Sequence, residues 1–280
     1  MLFFIRNITI GVFLLFNYCL RAQTPISSLG MMPLGAASQA KGNQFLFSND
    51  VWGSANDLSS IMTRSPQIGM THRSIFQEVA FSAVGAIYPI NQKWSTSATI
   101  SSVGNTYLSE QSIELGTAHK IGIIQIGGGL GYHQLRAETL NTLQTITLNM
   151  AVQAALSSRF SLGLIMHNFT QNVYQEGVFG ADKSSLIALG VKYSVQPFFT
   201  VISSIEKQKH QQIQYKAGFE YQWKSFLYLR GGMQLFPLDI SLGTGVYKNK
   251  WGVDYAFLTD DVFGWSHQFS LSYQLTSKER

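Results

Sequence analysis

Apolar and polar residues alternate one by one along most of this chain, from about residue 66 to its end. In the last such stretch the residues of one parity are Trp265, His267, Phe269, Leu271, Tyr273 and Leu275, and small polar residues occupy the other parity. Successive side chains of a β-strand point to opposite faces of a sheet, so the alternation indicates strands with one apolar and one polar face. The same pattern recurs in residues 144–156, 212–223 and 238–247, and the chain is therefore predicted to be all-β.

Two all-β architectures produce this alternation. A β-sandwich buries the apolar face, whereas a transmembrane barrel turns the apolar face to lipid and the polar face to its lumen. The polar positions here carry Ser, Gln, Thr and Gly rather than the Lys and Glu of a water-exposed sheet, and only 12% of the residues are charged. Aromatic residues stand near the predicted strand ends, as in the interfacial girdles of barrels: Tyr88, Trp94, Tyr132, Tyr193, Trp223, Trp251 and Tyr273. These features favour the barrel.

The predicted connections between strands also alternate in length. The tight ones lie near 89–91, 120, 157–158, 195–197, 223–224 and 248–249, and the longer ones lie near 104–109, 135–142, 170–183, 207–210 and 260–263. Outer-membrane barrels have short periplasmic turns, longer extracellular loops and an even number of strands. We therefore predict a transmembrane barrel of about fourteen antiparallel strands over residues 66–276, with a tail at 277–280, in the outer membrane of a Gram-negative bacterium.

Residues 1–22 have the layout of a secretory signal peptide. Arg6 precedes an apolar core from Ile8 to Leu15, and Ala22 supplies a small residue before the predicted cleavage site. The alternative is an N-terminal membrane anchor. Since Cys19 is the only cysteine and leaves with this peptide, the mature chain would have no disulfide and no thiol chemistry.

Residues 23–65 precede the first strand and are too short for a domain and too apolar for a solvated tail. A barrel of this width has room inside. We expect the stretch to form a plug or to cover the rim of the barrel; a loose periplasmic extension is the alternative.

Two stretches carry a family resemblance. Residues 34–43 and 49–52, with Gly35, Gly42, Asp50 and Trp52 at the motif positions, resemble the opening of the outer-membrane barrels of the type IX secretion system, the PorV/PorQ group of the FadL-like barrel class. The closing hairpins of that group resemble residues 228–232, 241–245, 253–257 and 264–272, in the same order.

The resemblance implies a barrel without enzymatic activity that docks or shuttles proteins for type IX secretion. Its partners would be outer-membrane lipid and secretion-system or cargo proteins, contacted through exposed loop aromatics at Tyr107, Tyr174 and Phe179. The barrel class also permits a transporter of hydrophobic small molecules such as fatty acids. That function ranks second here, because it needs an apolar interior and the predicted lumen face is polar and rich in glycine.

Charged residues occupy several inward positions of the predicted strands. They are Lys192, Lys216, Glu220, Arg230, Asp239 and Asp254. Charges within a membrane-spanning strand must face water or one another. They would either form a lumen network that grips the N-terminal plug or simply hydrate a pore, and the sequence leaves both alternatives open.

Enzymatic sites are not indicated. The histidines lack metal-ligand spacing, and the glycine run at 127–131 has no following helix and no Lys-Ser/Thr pair of a phosphate loop. His267 and Ser203 both face outward, but nothing in the sequence pairs them as a lipid hydrolase would need. The formal charge of +5 is too scattered for nucleic acid. We expect no cofactor, no metal and no catalytic residues.

The barrel prediction has a direct test in gel mobility. A closed barrel resists SDS until it is heated, because its hydrogen-bonded strands have no free edge. We expect the unheated protein in mild detergent to migrate faster than the boiled protein. Identical migration of the two samples would contradict the barrel.

Overall fold

The structure is a computed structural model that describes residues 31–63, 65–76, 79–138, 142–174, 183–260 and 264–275. The predicted signal peptide, residues 23–30, Phe179 and the tail at 277–280 lie outside the described residues. Within the described part of the chain, no helix is long and apolar enough to cross a membrane.

Fourteen antiparallel strands close into one barrel. They are β1 Gln67–Phe76, β2 Val79–Pro89, β3 Trp94–Gly104, β4 Leu108–Ile121, β5 Ile124–Ala137, β6 Leu143–Ala155, β7 Phe160–His167, β8 Leu186–Gln196, β9 Phe199–Gln208, β10 Ile213–Lys224, β11 Leu227–Leu235, β12 Asp239–Lys248, β13 Trp251–Asp260 and β14 Gly264–Gln274. Each strand pairs with its neighbours in sequence, and β14 pairs with β1 along Gln67–Ser74 to close the ring. The predicted fold class is confirmed.

The two rims of the barrel differ in the length of their connections. The short-turn rim, between β2 and β3, β4 and β5 and so on to β12 and β13, has turns such as residues 122–123, 197–198 and 225–226. The loop rim at the other end includes residues 168–185 between β7 and β8. Because the strand number is even, β1 begins and β14 ends at the short-turn rim, which is the periplasmic side of barrels of this kind.

The wall exposes its apolar face outward. Met70, Val84, Ile100 and Ile113 lie opposite one another on β1 to β4 and are 46–61% exposed. Polar residues of the opposite parity, such as Thr71, Thr99 and Gln268, are buried. An apolar band of this size is stable only against lipid. The structure therefore agrees with the barrel rather than the sandwich.

Residues 31–62, called the N-terminal segment below, lie against the inner face of this wall. Helix α1 (Ala36–Ala40) contacts β11 to β14, helix α2 (Gly53–Asn56) contacts β2 to β4, and a 3-10 turn (Leu58–Ser60) contacts β4 to β6. The segment therefore touches separate arcs of the wall. Its apolar side chains Phe45, Leu46, Phe47, Val51, Trp52, Leu58 and Ile61 are buried, so the apolar core of the molecule lies inside the barrel.

A charge on the outer face tests the lipid-facing band. Arginine near the bilayer midplane of a barrel costs about 2–4 kcal/mol, so we expect Val84→Arg to lower the free energy of unfolding by roughly that amount. The measurement is urea titration in lipid vesicles, read by gel mobility. Tyr107→Arg, at an equally exposed position beyond the strand ends, serves as the control and should leave stability unchanged. Equal stability of both variants would contradict the assignment of the outer face.

Candidate functional site in the barrel interior

The motif residues of the N-terminal segment contact one another. Gly35 and Gly42 both have φ values near +85° (85° and 84°), a conformation that other residues rarely adopt. A Cβ atom on Gly35 would lie 2.1 Å from Cδ1 of Trp52, which is buried. The Asp50 carboxylate accepts a hydrogen bond from the Trp52 backbone N–H at 3.0 Å. The two halves of the motif therefore pack together as one unit.

Two buried polar side chains hold the segment in its own fold. Asp57 accepts hydrogen bonds from the Phe47 N–H at 2.9 Å and the Ser60 hydroxyl at 2.8 Å. The Asn56 side chain bonds both backbone polar groups of Leu34, at 2.7 and 2.8 Å. Since these bonds satisfy backbone groups far from water, the segment has a defined structure of its own.

Glycines of the wall let the backbone of the segment approach closely. A Cβ atom on Gly218 would lie 2.1 Å from the Lys41 carbonyl oxygen, and one on Gly232 would lie 2.2 Å from the Gly42 nitrogen. The Gly42 N–H donates to the Ser241 hydroxyl at 2.9 Å. These inward glycines of β10 and β11 therefore provide the surface on which the segment rests.

Lys216 links the wall to the segment. Its ammonium donates to the Glu206 carboxylate at 2.6 Å and to the Asn43 carbonyl oxygen at 2.7 Å, and it lies 5.4 Å from the centre of the Phe45 ring. Lys216 and Glu206 are 2% and 0% exposed. A buried pair of this kind depends on both partners, because removing one leaves an uncompensated charge.

Arg230 organises a second cluster on β10 to β13. Its guanidinium donates to Glu220 and Asp254, each at 2.6 Å, and to the Tyr247 hydroxyl at 3.3 Å. Tyr247 in turn donates to Asp254 at 2.7 Å. The cluster borders a cavity of about 290 Å³ at the short-turn rim, which Lys41 and Asp50 of the segment also line.

A third polar cluster faces the loop rim. Lys183 pairs with Glu110, and the His133 ring bonds the Ser112 hydroxyl at 2.7 Å and the Thr147 hydroxyl at 2.8 Å.

A cavity of about 40 Å³ lies beside this third cluster. Its remaining lining is mixed. Leu34, Phe45, Phe81 and Val103 are apolar, whereas Glu114, Asn149 and His167 are polar.

The predicted inward charges divide into two groups. Lys216 contacts the segment directly, Lys192 lies 5.3 Å from the centre of the Phe47 ring, and Asp239 reaches the segment through Gln234, whose amide bonds Asn43 at 3.3 Å. Glu220, Arg230 and Asp254 instead pair with one another beside the larger cavity.

The expectation of exposed loop aromatics needs a correction. Tyr107 is exposed, but Tyr174 is only 6% exposed. Burial and the negative charge of Glu110 raise the pKa of Tyr174 well above its ordinary value. The loop after β7 turns this side chain inward, so Tyr174 does not offer the exposed surface expected of a loop contact.

Several residues of the interior were missed in the sequence analysis. Glu206 and Tyr247 complete the Lys216 and Arg230 clusters, and Glu110 and Lys183 pair at the loop rim. Glu206 and Glu110 have the inward parity of their strands, so the alternation could have identified them. Lys183 lies in a connection, where alternation gives no signal.

The fold does not bring His267 and Ser203 together. His267 on β14 bonds the Tyr255 hydroxyl at 2.7 Å, while Ser203 lies on β9, which is not a neighbour of β14. Among the described residues, no three His, Cys, Asp or Glu side chains are grouped as metal ligands.

Comparison with known proteins identifies the fold. No family model and no curated protein sequence matches the chain. Among solved structures, a FadL homologue of Pseudomonas aeruginosa is similar with a TM-score of 0.63 at 9% identity, over 87% of this chain and 99% of that one. The toluene transporter TodX of Pseudomonas putida gives a TM-score of 0.64 at 10% identity, over 87% and 98% of the two chains. A mutant of TodX, a monoaromatic hydrocarbon channel, gives 0.68 at 9% identity, over 87% and 99%. The chain has the fold of these FadL-type barrels.

Removing Lys216 tests the buried link between wall and segment. We expect Lys216→Met to lower the free energy of unfolding by about 3–5 kcal/mol, because it leaves Glu206 charged and unpaired in the interior. The double variant Lys216→Met with Glu206→Gln should recover most of that loss. Both values come from denaturant titration followed by gel mobility. If the double variant were no more stable than the single one, the ion pair would not be the cause.

Proposed function

We propose that the protein is a channel that carries small hydrophobic molecules across the outer membrane without chemical change. One observation carries the proposal: a barrel of the FadL type holds a separate segment that gives its polar interior an apolar lining. The similar structures include a toluene transporter, and at this sequence identity the likeness supports the fold while the transport function is our inference.

Transport ranks second on the sequence alone, because the predicted lumen face is polar. The apolar residues of the N-terminal segment remove this objection. The inward face of the strands is polar, with buried Ser, Thr and Gln residues, and by itself it would suit water or ions. Phe45, Leu46, Phe47 and Trp52 come from the N-terminal segment and stand in front of that face. These side chains are buried against the wall, so a hydrophobic molecule would meet their apolar surface when the segment moves away from the wall.

Entry is expected at the loop rim. The cavity there combines apolar side chains such as Phe81, Val103 and Leu34 with the Glu110–Lys183 pair. Its 40 Å³ have room for a few water molecules, so passage requires the segment or its neighbours to move. Hydrogen bonds such as Ser54 to Thr99 of β3, at 2.5 Å, hold the segment in the closed position.

Docking in type IX secretion is the second candidate. It is favoured by the contact of Gly35 with Trp52, which joins two parts of the motif that resembles the PorV/PorQ group. The filled interior is also compatible with a barrel that presents surfaces rather than a pore. In that function the barrel would bind partner and cargo proteins of the secretion system and would have no enzymatic activity.

A reversible lock distinguishes the two functions. In the variant Ser54→Cys with Thr99→Cys, a disulfide would tie the segment to the wall, since the two hydroxyls are 2.5 Å apart. We expect the oxidised variant in lipid vesicles to take up labelled toluene at least tenfold more slowly than the wild type, and reduction to restore uptake.

The matched control carries a disulfide within the wall. Ser194→Cys with Thr200→Cys joins β8 to β9, where the hydroxyls are 3.3 Å apart, and neither hydroxyl bonds the segment among the described residues. It should transport at the wild-type rate in both redox states. Toluene uptake by the wild type that is no faster than in protein-free vesicles would contradict the channel proposal. Co-purification of secretion-system proteins from membranes would then support docking.

A further inference from the structure

A second cavity lies at the other end of the interior from the proposed entry. It measures about 290 Å³ and opens between the N-terminal segment and the wall at the short-turn rim. Charged and aromatic residues with inward side chains line it together: Lys41, Asp50, Tyr228 and Tyr247. The cavity is therefore neither a purely apolar pocket nor a simple hydrated pore.

Lys41 presents an unpaired ammonium to this cavity. The side chain is 7% exposed, and it makes no hydrogen bond or ion pair with any residue that the structure describes. An ammonium taken out of water without a partner is costly. The carboxylates of Asp50 and Glu220 attract Lys41 without contacting it. A ligand with a carboxylate would supply the direct hydrogen-bond acceptor.

Asp50 presents the opposite charge to the same cavity. One carboxylate oxygen accepts the Trp52 N–H, and the carboxylate forms no ion pair with Lys41. Burial raises the pKa of Asp50 to about 6, against the lowering effect of Lys41, so the group is mostly ionised at pH 7.5. Two opposite charges thus line one cavity more than an ion-pair distance apart.

The neighbouring charges of the wall are already paired. Arg230 bonds Glu220, Asp254 and Tyr247, which places its guanidinium and both carboxylates in one closed cluster. These groups shape the cavity but have little capacity left for a ligand. Lys250 also lines the cavity and has an interaction of its own. The charges that the N-terminal segment contributes to the lining are Lys41 and Asp50.

We propose that this cavity binds a small zwitterionic solute, with the carboxylate of the solute on Lys41 and its ammonium on Asp50. Tyr228 and Tyr247, which have the inward parity of β11 and β12, would pack against its apolar part. The solute enters from the short-turn rim, so the site goes beyond the proposed channel function and does not depend on it.

Three probes with the same aromatic ring test the contributions of the carboxylate and the ammonium separately. Phenylalanine carries both groups, phenylacetate only the carboxylate and phenethylamine only the ammonium. We expect the full chain, in lipid nanodiscs at pH 7.5, to bind phenylalanine saturably and at least tenfold more tightly than either other probe by isothermal titration calorimetry. Empty nanodiscs give the baseline.

Charge-removing variants assign the two ends. Lys41→Met should weaken the binding of phenylalanine at least tenfold and abolish the residual binding of phenylacetate. Asp50→Asn should weaken the binding of phenylalanine at least tenfold and abolish the residual binding of phenethylamine. Lys120→Met and Glu138→Gln, both exposed and outside the cavity, are the matched controls. Heat-modifiable mobility shows whether each variant is folded.

The proposal can be tested even if a variant fails to fold, because the affinities of the three probes are compared on the wild-type protein. No saturable binding of phenylalanine, or phenylacetate binding as tightly as phenylalanine, would overturn it. Unchanged affinity in folded Lys41→Met would also overturn it. Toluene uptake is expected to be unaffected by the probes, so the two proposals fail independently.

Discussion

The closed ladder of backbone hydrogen bonds is the constraint on which the rest of this molecule depends. Lipid offers no partner to a backbone N–H or C=O group, so strands can cross a membrane only when every edge is paired. The pairing of β14 with β1 closes the last edge. Closure turns one parity of side chains outward to lipid and encloses the other, which makes an exposed row such as Met70, Val84 and Ile100 stable.

Closure also reverses the usual place of the core. A soluble protein buries the apolar faces of its sheets, but here those faces are needed outside, and the strands alone enclose a polar space. The N-terminal segment supplies apolar side chains such as Phe47 and Trp52 to that space. Its backbone reaches the wall where Gly218 and Gly232 carry no side chain in the way. Wall and segment are therefore complementary in polarity and shape.

The charged side chains inside the barrel differ in whether they form ion pairs. Lys216 with Glu206 joins wall to segment, and Arg230 is fully engaged on the wall. Lys41 and Asp50 differ from these pairs, since they face an open cavity near the periplasmic rim without pairing with each other. The two ends of the interior therefore differ in the charges and apolar residues that line them.

The alternation of residue types by itself determined the all-β class and the parity of Lys216, Glu220 and Arg230, because the side-chain period of a strand follows from covalent geometry. The composition of the polar face and the connection lengths were needed to predict the barrel and its strand number. The motif residues Gly35, Gly42, Asp50 and Trp52 could likewise be identified from the sequence. Parity does not say which inward residues meet, and only the tertiary structure paired Lys216 with Glu206. It also turned Tyr174 inward, since connections have no periodicity. The placement of the segment inside the barrel came from long-range contacts, which no local pattern encodes.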